Sequence, residues 1–356
     1  MAYPSTYSAW RRSGLKGTAE NRLTIIRTDD ETLPSTLDPN DVVIKIHTVS
    51  LNYREIAMLN GVYPMDILDK GVPCSDAAAE VVATGSAVSR FLVGDRVCPN
   101  TSLGKTYEGG SDGTSVGVGT NAMGVLRQYA VFNEEHLVKM PEHLSWEEAS
   151  LLPCAGVTAW NALDGLKNVP KGAYALLQGT GGVSMFALVL CLSAGIRPII
   201  TSSSDEKLAA IKQLSPEIQG LNYKMVSDQA AEIQRLTNGR GVHFVVNNIG
   251  PKSLMEDINF LCERGGTVSL VGFLAGFDAD WSPSHIMSLM GKAAKLKGIA
   301  MGTRDDFEEM NRYLEKGNVH FDALLVDRPF AFANAKDAYD RLESGKFHGK
   351  IVISVD

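Results

Sequence analysis

No stretch of this 356-residue chain is apolar for 18 residues, and its opening, MAYPSTYSAWRRSGLKG, holds no segment of the length a secretory signal needs. Neither a membrane anchor nor export is expected, and the protein is expected in the cytoplasm. Cysteine is scarce: Cys74, Cys98, Cys154, Cys191 and Cys262 are an odd number and form no CxxC pair. No zinc ribbon or disulfide framework is readable from them, which leaves reduced, mostly buried thiols. The seven histidines contain no i, i+4 pair and no Gly-x-Ser-x-Gly elbow occurs, so a helical metal-ligand pair and a hydrolase nucleophile are both unsignalled. Nor is charge of one sign gathered into a block. With a formal net charge of −7, nucleic acid and anionic membrane are poor partners, and a small molecule is the expected one.

What is present describes an ordinary globular chain: 44% hydrophobic residues, 21% charged residues and 34 glycines, in a length that suits two domains. From residue 22 to about 140 it reads as short strands between turns: RLTIIRT, DVVIKIHTV, AAEVVATG, DRVCP, RQYAVF and HLVKMP. In DVVIKIHTV, Val42, Ile44 and Ile46 alternate with Val43, Lys45 and His47, the period of a half-buried strand. Residues 100–124 are rich in Gly, Ser and Thr and lack periodicity, which suggests a mobile loop, either a lid or an insertion without a role. From about 172 the pattern becomes strand and helix in alternation, the βαβ signature of a parallel sheet. Its candidate strands are YALLQ, RPIIT, YKMV, HFVVN, TVSLV and LKGIA. After Gly302, DDFEEMNRYLEKG reads as an amphipathic helix, with FDALLVDRPFAF and GKIVISVD as returning strands. The fold class is α/β: a doubly wound parallel sheet joined to a mainly-β domain.

Two motifs carry chemistry. In LLQGTGGVSMFAL a glycine-rich loop follows a strand and opens a helix, the setting in which G-x-G-x-x-G binds a dinucleotide. Gly179 permits the tight turn, Gly181 lets backbone approach a pyrophosphate, and Gly182 and Val183 open the helix whose dipole favours the anion. Ser184 replaces the third glycine, at a position of close packing. An NAD site wants an acid at the tip of the second strand, and here IITSSSDEK offers Ser202, Ser203 and Ser204 before the first acid, Asp205. With Ser204 as N-cap, Lys207 falls in the first helical turn, where a cation opposes the dipole unless an anion is bound. Ser203 and Lys207 are therefore expected to hold a 2′-phosphate, making NADPH the cofactor. Asn248 and Gly250, after the fourth strand, and Gly272 and Phe273, after the fifth, lie at strand carboxyl ends, where open α/β sheets bind ligands. The second motif, VPCSD, sets the thiol of Cys74 two residues before the carboxylate of Asp76, and both can bind metal.

In their order SLNYREIAML, VPCSDAAAEVV, VGDRVCP, LLPCAGVTAWNAL, GTGGVSMFAL, TSSSDEK, GGTVSLVGFL and FHGKIVI resemble the medium-chain dehydrogenase/reductase superfamily over nearly the whole chain. The resemblance implies a GroES-like catalytic domain over 1–155 and 304–356 and a Rossmann domain over 156–303, with reaction in the crevice between domains. Zinc-dependent members place cysteine, Gly-His-Glu and cysteine where this chain has Asn52, then Cys74, Ser75 and Asp76, then Cys154, so no metal is expected. Without a Lewis acid the inventory suits reduction of an enone or quinone better than a plain ketone. LNYRE is similar to the Asn-Tyr-x-Asp segment of zinc-independent quinone oxidoreductases, with Glu55 in place of the aspartate. It implies Tyr53 as donor to the substrate oxygen, Asn52 orienting it, and Asp76 at the base of the cleft; a core aromatic is the alternative for Tyr53. The resemblance further implies Thr158 near the nicotinamide, Tyr223 beside the adenosine phosphate unless it is a plain strand residue, Asn248, Gly250, Gly272 and Phe273 beside the ring, and a homodimer through the edge near LKGIA. A metal-free carbonyl reductase or alcohol dehydrogenase, and a non-catalytic NADPH-binding protein, remain as alternatives.

Overall fold

The computed structural model describes residues 3–18, 20–103, 106–107, 110–111, 116–325 and 327–356. The middle of the expected 100–124 loop lies outside them. The chain forms two compact units, Met1–Ala155 with Gly302–Asp356, and Gly156–Met301. Among the described residues no helix is long and apolar enough to cross a membrane.

The first unit is built on a seven-stranded sheet whose spatial order is Phe330–Ala331, Val352–Ser354, Asp41–Ser50, Asp76–Thr84, Arg96–Pro99 and Leu137–Lys139, with Tyr129–Asn133 also paired to Asp41–Ser50. In the central Asp41–Ser50 strand Val42, Ile44 and Ile46 are buried as their alternation requires, but Val43 is fully buried as well. The reason is a second cover: helix Trp146–Ala149 packs on the other face, where His47 and Trp146 stack with ring centroids 4.3 Å apart. Two antiparallel strands, Thr6–Arg12 and Ile25–Thr32, form a separate ribbon. The first of them is a surprise of the fold, because TYSAWRR gains its apolar face only when Tyr7, Ala9 and Trp10 meet the core. FDALLVDRPFAF contributes only Phe330–Ala331 to the sheet, since Phe321 and Leu324 are buried in a short 3-10 turn, Asp322–Leu324, instead of along an extended face.

The second unit is a six-stranded, all-parallel sheet in the order Gln219–Asn222, Arg197–Ser202, Tyr174–Leu177, Phe244–Asn247, Thr267–Leu270, Lys295–Gly298. Numbered along the chain this is 3-2-1-4-5-6, the Rossmann order, whose direction reverses beside Tyr174–Leu177. Helix Gly182–Ser193 buries Met185, Phe186, Ala187, Leu188, Leu190 and Cys191. The expected strand YKMV is not one. The third strand is QGLN, and it stops at Asn222 because Asn222 Oδ1 accepts the Lys224 N–H at 3.1 Å, a local turn that an exposed Tyr-Lys-Met run cannot outbid with buried area.

Arg12 shows how the first unit holds its turns. Only 1% exposed, its guanidinium donates to the carbonyls of Gly119 at 2.8 Å, Thr120 at 3.2 Å and Leu68 at 3.3 Å. Burial lowers its pKa, and the charge of Glu55 opposes that effect. Replacing Arg12 with Met is expected to destabilise the protein by about 3 kcal/mol or more, because buried carbonyls lose their donor and the buried Glu55 loses a nearby positive charge. Urea denaturation measures it; a loss under about 1 kcal/mol is surface-like and contradicts the assignment.

Candidate active site

Three strand ends converge in the first unit. Ser50 pairs with Asp76 on one side and with Val352 on the other. Antiparallel register then sets Asn52 opposite Lys350, and Leu51 N–H donates to Ile351 O at 2.9 Å between them. Lys350 Nζ donates to Asn52 Oδ1 at 2.7 Å and lies 3.6 Å from Asp76 Oδ2. Asn52 Nδ2 in turn donates to Asp76 Oδ2 at 2.9 Å, and Ser75 Oγ to Asp76 Oδ1 at 2.7 Å. Asp76 and Ser75 are fully buried and Lys350 is 3% exposed. Asn52 thus bonds both Lys350 and Asp76. Tyr53, the first residue of helix Tyr53–Leu59, is 45% exposed, so it is not a core aromatic.

Cys74 sits behind this cluster. Its φ is +68°, its N–H donates to Glu55 Oε2 at 3.2 Å, and its Sγ lies 3.3 Å from the hydroxyl of Tyr339. Burial pushes the thiol far up, with Glu55 adding to the effect. Glu55 itself is buried, with Arg54 Nε 3.8 Å from its Oε1; desolvation pushes its carboxyl up against the charges of Arg54 and Arg12. Glu55 therefore holds the VPCSD turn in place through the Cys74 N–H.

The residues do not fit a zinc ion. Where metal ligands are implied, the chain offers an amide, a hydroxyl and the thiol of Cys154, which burial and then Asp76 push up to about 12, far from a thiolate. The ammonium of Lys350, against Asn52 and Asp76, would repel a second cation. Among the described residues no group of three or more His, Cys, Asp or Glu side chains could hold a metal.

In the second unit the candidate dinucleotide residues gather at the carboxyl ends of the central strands. Gly179 has φ +78°, the left-handed turn. Gly181 has φ −82° and an added Cβ there would meet nothing within 4 Å, so the fold's own packing does not require glycine at that position; an approaching ligand would. Ser184 Oγ donates to Gln178 O at 2.7 Å, which lets a polar side chain occupy the close-packed third position. Asn248 Nδ2 donates to the same carbonyl at 3.1 Å and to Ser184 Oγ at 3.0 Å. Gly272 is required by its neighbour, since a Cβ would lie 2.7 Å from Asn248 O. Gly250 has φ +101°, Phe273 stacks on Phe277, and Thr158 is buried in helix Val157–Ala162.

At the second strand's tip Ser204 is the N-cap of helix Asp205–Lys212, and its Oγ accepts the Lys207 N–H at 3.3 Å. Ser203 is exposed, and Tyr223, 44% exposed and in a turn rather than a strand, donates its N–H to Ser202 O at 3.2 Å. Asp205, the nearest acid, accepts from Asn222 Nδ2 at 2.8 Å. Three functional candidates escaped the sequence reading: Lys350, Gln178 and Asp257. A charge opening the apolar strand IVIS and an acid at i+3 on the buried Leu254, Ile258 stripe were the available signals.

The family model described as "Alcohol dehydrogenase GroES-like domain" matches residues 38–142, and "Zinc-binding dehydrogenase" matches 182–316. A zinc-type alcohol dehydrogenase-like protein of Schizosaccharomyces pombe is 35% identical over 343 residues, 93% of this chain and 95% of its own length. A candidate alcohol dehydrogenase from Sinorhizobium meliloti superposes with a TM-score of 0.82 at 28% identity, covering 98% of this chain and 99% of its own. The quinone oxidoreductase of Escherichia coli complexed with NADPH superposes at 0.73 with 18% identity, covering 98% and 100%, a likeness of fold.

The Lys350 cluster makes a stability prediction. Lys350→Met leaves Asp76 buried beside no cation, and is expected to cost about 3–5 kcal/mol. Adding Asp76→Asn removes the orphaned charge and should recover most of that loss. Equal destabilisation of single and double variants in urea would show that the two charges are not coupled.

Proposed function

The chain belongs to the medium-chain dehydrogenase/reductase superfamily, and from that membership we propose that it is an NADPH-dependent, zinc-independent reductase of the quinone-oxidoreductase type. Its substrate in this reading is a small enone or quinone. The observation that carries the proposal is the buried Lys350–Asn52–Asp76 cluster, in which an amide stands where a catalytic metal would need a thiolate and an ammonium is held against it.

A dinucleotide held at the glycine loop would supply a hydride. A hydride added to a plain ketone leaves a localised alkoxide, which a Lewis acid would stabilise. Added to the β-carbon of an enone it leaves an enolate, whose charge is spread over oxygen and carbon, and a proton at the α-carbon completes the saturated product. One donor to the developing oxyanion contributes about 2.7–4 kcal/mol, which matches the delocalised charge better. Tyr53, exposed at the start of its helix, is the proposed donor, and the hydrogen-bonded chain from Asp76 through Asn52 to Lys350 keeps the adjoining backbone and amide fixed.

Ser203 and Lys207 are the proposed 2′-phosphate ligands. Asp205 is turned toward Asn222, so the nearest acid is not presented to a ribose 2′-hydroxyl. Thr158, Gly179, Gly181, Gly182, Val183, Tyr223, Asn248, Gly272 and Phe273 complete the proposed cofactor site. A second reading, metal-free reduction of a carbonyl, takes the carbonyl from the relatives' names, which are alcohol dehydrogenase-like, and the lack of a metal from the side chains at Asn52, Ser75 and Cys154.

Two experiments test this. Tyr53→Phe is expected to lower enone turnover about 100-fold or more while NADPH affinity is retained; unchanged turnover removes Tyr53 from the reaction. The same assay on the saturated ketone separates the two readings, and a panel without any turnover leaves only cofactor binding. Lys207→Ala should weaken NADPH about 10-fold or more and leave NADH unchanged, as loss of a charged hydrogen bond does. Equal weakening of both would place the lysine elsewhere.

A further inference from the structure

Asp257 is fully buried on helix Leu254–Phe260, and its carboxylate is the hub of a network that no catalytic step uses. Its Oδ1 accepts from Gln178 Nε2 at 2.7 Å. Its Oδ2 accepts from Asn247 Nδ2 at 2.6 Å and from Ser253 Oγ at 3.0 Å. Gln178 is the residue immediately before Gly179, and its other amide atom, Oε1, accepts the N–H of Asn248 at 3.2 Å and of Ile249 at 3.3 Å. Asn247 Oδ1 accepts the N–H of Gly250 at 2.7 Å. The ends of two neighbouring parallel strands, and the two loops that leave them, are therefore tied to one carboxyl group.

We propose that Asp257 is a positioning residue for the dinucleotide: acting through Gln178 and Asn247, it sets the spacing between the phosphate loop and the 248–250 turn, and its ionised form is the one that holds them for binding. The proposal deepens the NADPH reading of this unit and rests on it. Gln178 and Asn247 both present N–H donors, and an ionised carboxylate accepts from both at once. Protonated, the carboxyl can give its hydrogen to Ser253 Oγ but loses the charge that strengthens the bonds from both amides, so those bonds weaken and part of the clasp opens.

Both forms are accessible. Burial pushes the Asp257 carboxyl up to about 7, while the bonds from Ser253, Asn247 and Gln178 pull it down and Glu256 adds to the rise. No cation pairs with it among the described residues. Lys252 and Glu256 are exposed beside the helix, Glu232 and Arg235 on the neighbouring helix bond each other at 2.7 Å, and His243 stands at the opposite end of its strand, its pKa lowered by burial and then by Arg240. The sign follows directly: below about 7 the carboxyl is protonated and the clasp opens; above it the carboxylate holds both loops.

Fluorescence titration of the full-length protein with NADPH and, in parallel, with NADH tests this across neutral pH. Both dinucleotides are expected to bind several-fold more weakly as pH falls through about 7. A fall confined to NADPH would report the 2′-phosphate and overturn the proposal, as would no fall with either. Asp257→Asn should bind both about 10-fold more weakly at high pH and lose the pH step. Wild-type affinity, or a retained step, in this variant rejects the role. Ser253→Ala removes one donor that favours the ionised form and should move the midpoint to higher pH, a shift that a purely structural residue would not produce. If Asp257→Asn does not fold, this midpoint decides, and an unmoved value overturns the proposal. Failure of the wild type to bind either dinucleotide at any pH removes the cofactor reading itself, and the role of Asp257 with it.

Discussion

An ammonium group taken out of water must be met by acceptors, and around Lys350 the first unit supplies two, one neutral and one charged. That requirement ties together three pieces of chain far apart in sequence: the end of Asp41–Ser50, the start of Asp76–Thr84 and the start of the C-terminal strand. None of the three can shift register by one residue without separating Lys350 from Asn52 or turning Asp76 to the other face. A second ionic layer lies beneath, where Glu55 is held near Arg54 and binds the backbone of Cys74. The left-handed Cys74 is thus clamped from its N–H by an acid and at its thiol by Tyr339. Strain at one residue is tolerated because several partners over-determine it.

The second unit solves the opposite problem. Asp257 is a buried carboxyl that no cation among the described residues pairs with, and neutral donors do what Lys350 does for Asp76. Neutral donors stabilise charge less strongly than an ion pair, so the proton is held more tightly than on an exposed acid. The same network fixes Gln178, the residue that leads into the glycine loop. Ser184, which departs from the glycine fingerprint, joins that network through Gln178 O and Asn248 Nδ2, so a change that looks like erosion in the sequence is a hydrogen-bonded part of the loop.

The chemistry proposed for the protein follows from which groups are ionised. The Cys154 thiol is pushed up to about 12, and Lys350 already pairs with the one carboxylate in the cluster. Such a site orients and donates. It has little with which to stabilise a concentrated alkoxide, and its reach extends more naturally to acceptors that delocalise the charge themselves.

Much of this was legible in the residues. Alternation in DVVIKIHTV, the βα repeats after residue 172 and the strand-loop-helix setting of GTGGVS depend on short-range pattern, which survives in one dimension. The strand TYSAWRR and the turn at Tyr223 were not, because burial of the one and exposure of the other depend on distant neighbours. The replacement of metal-ligand types by Asn52 and Ser75 was equally visible, but what had taken their place was not. Lys350 stands 298 positions from Asn52 and Asp257 stands 79 from Gln178. Composition, local periodicity and the glycine loop determined the class of fold and of cofactor, because each is set by neighbours in the chain. Which charges face one another is a matter of sheet register and strand order, and only the folded structure decides it.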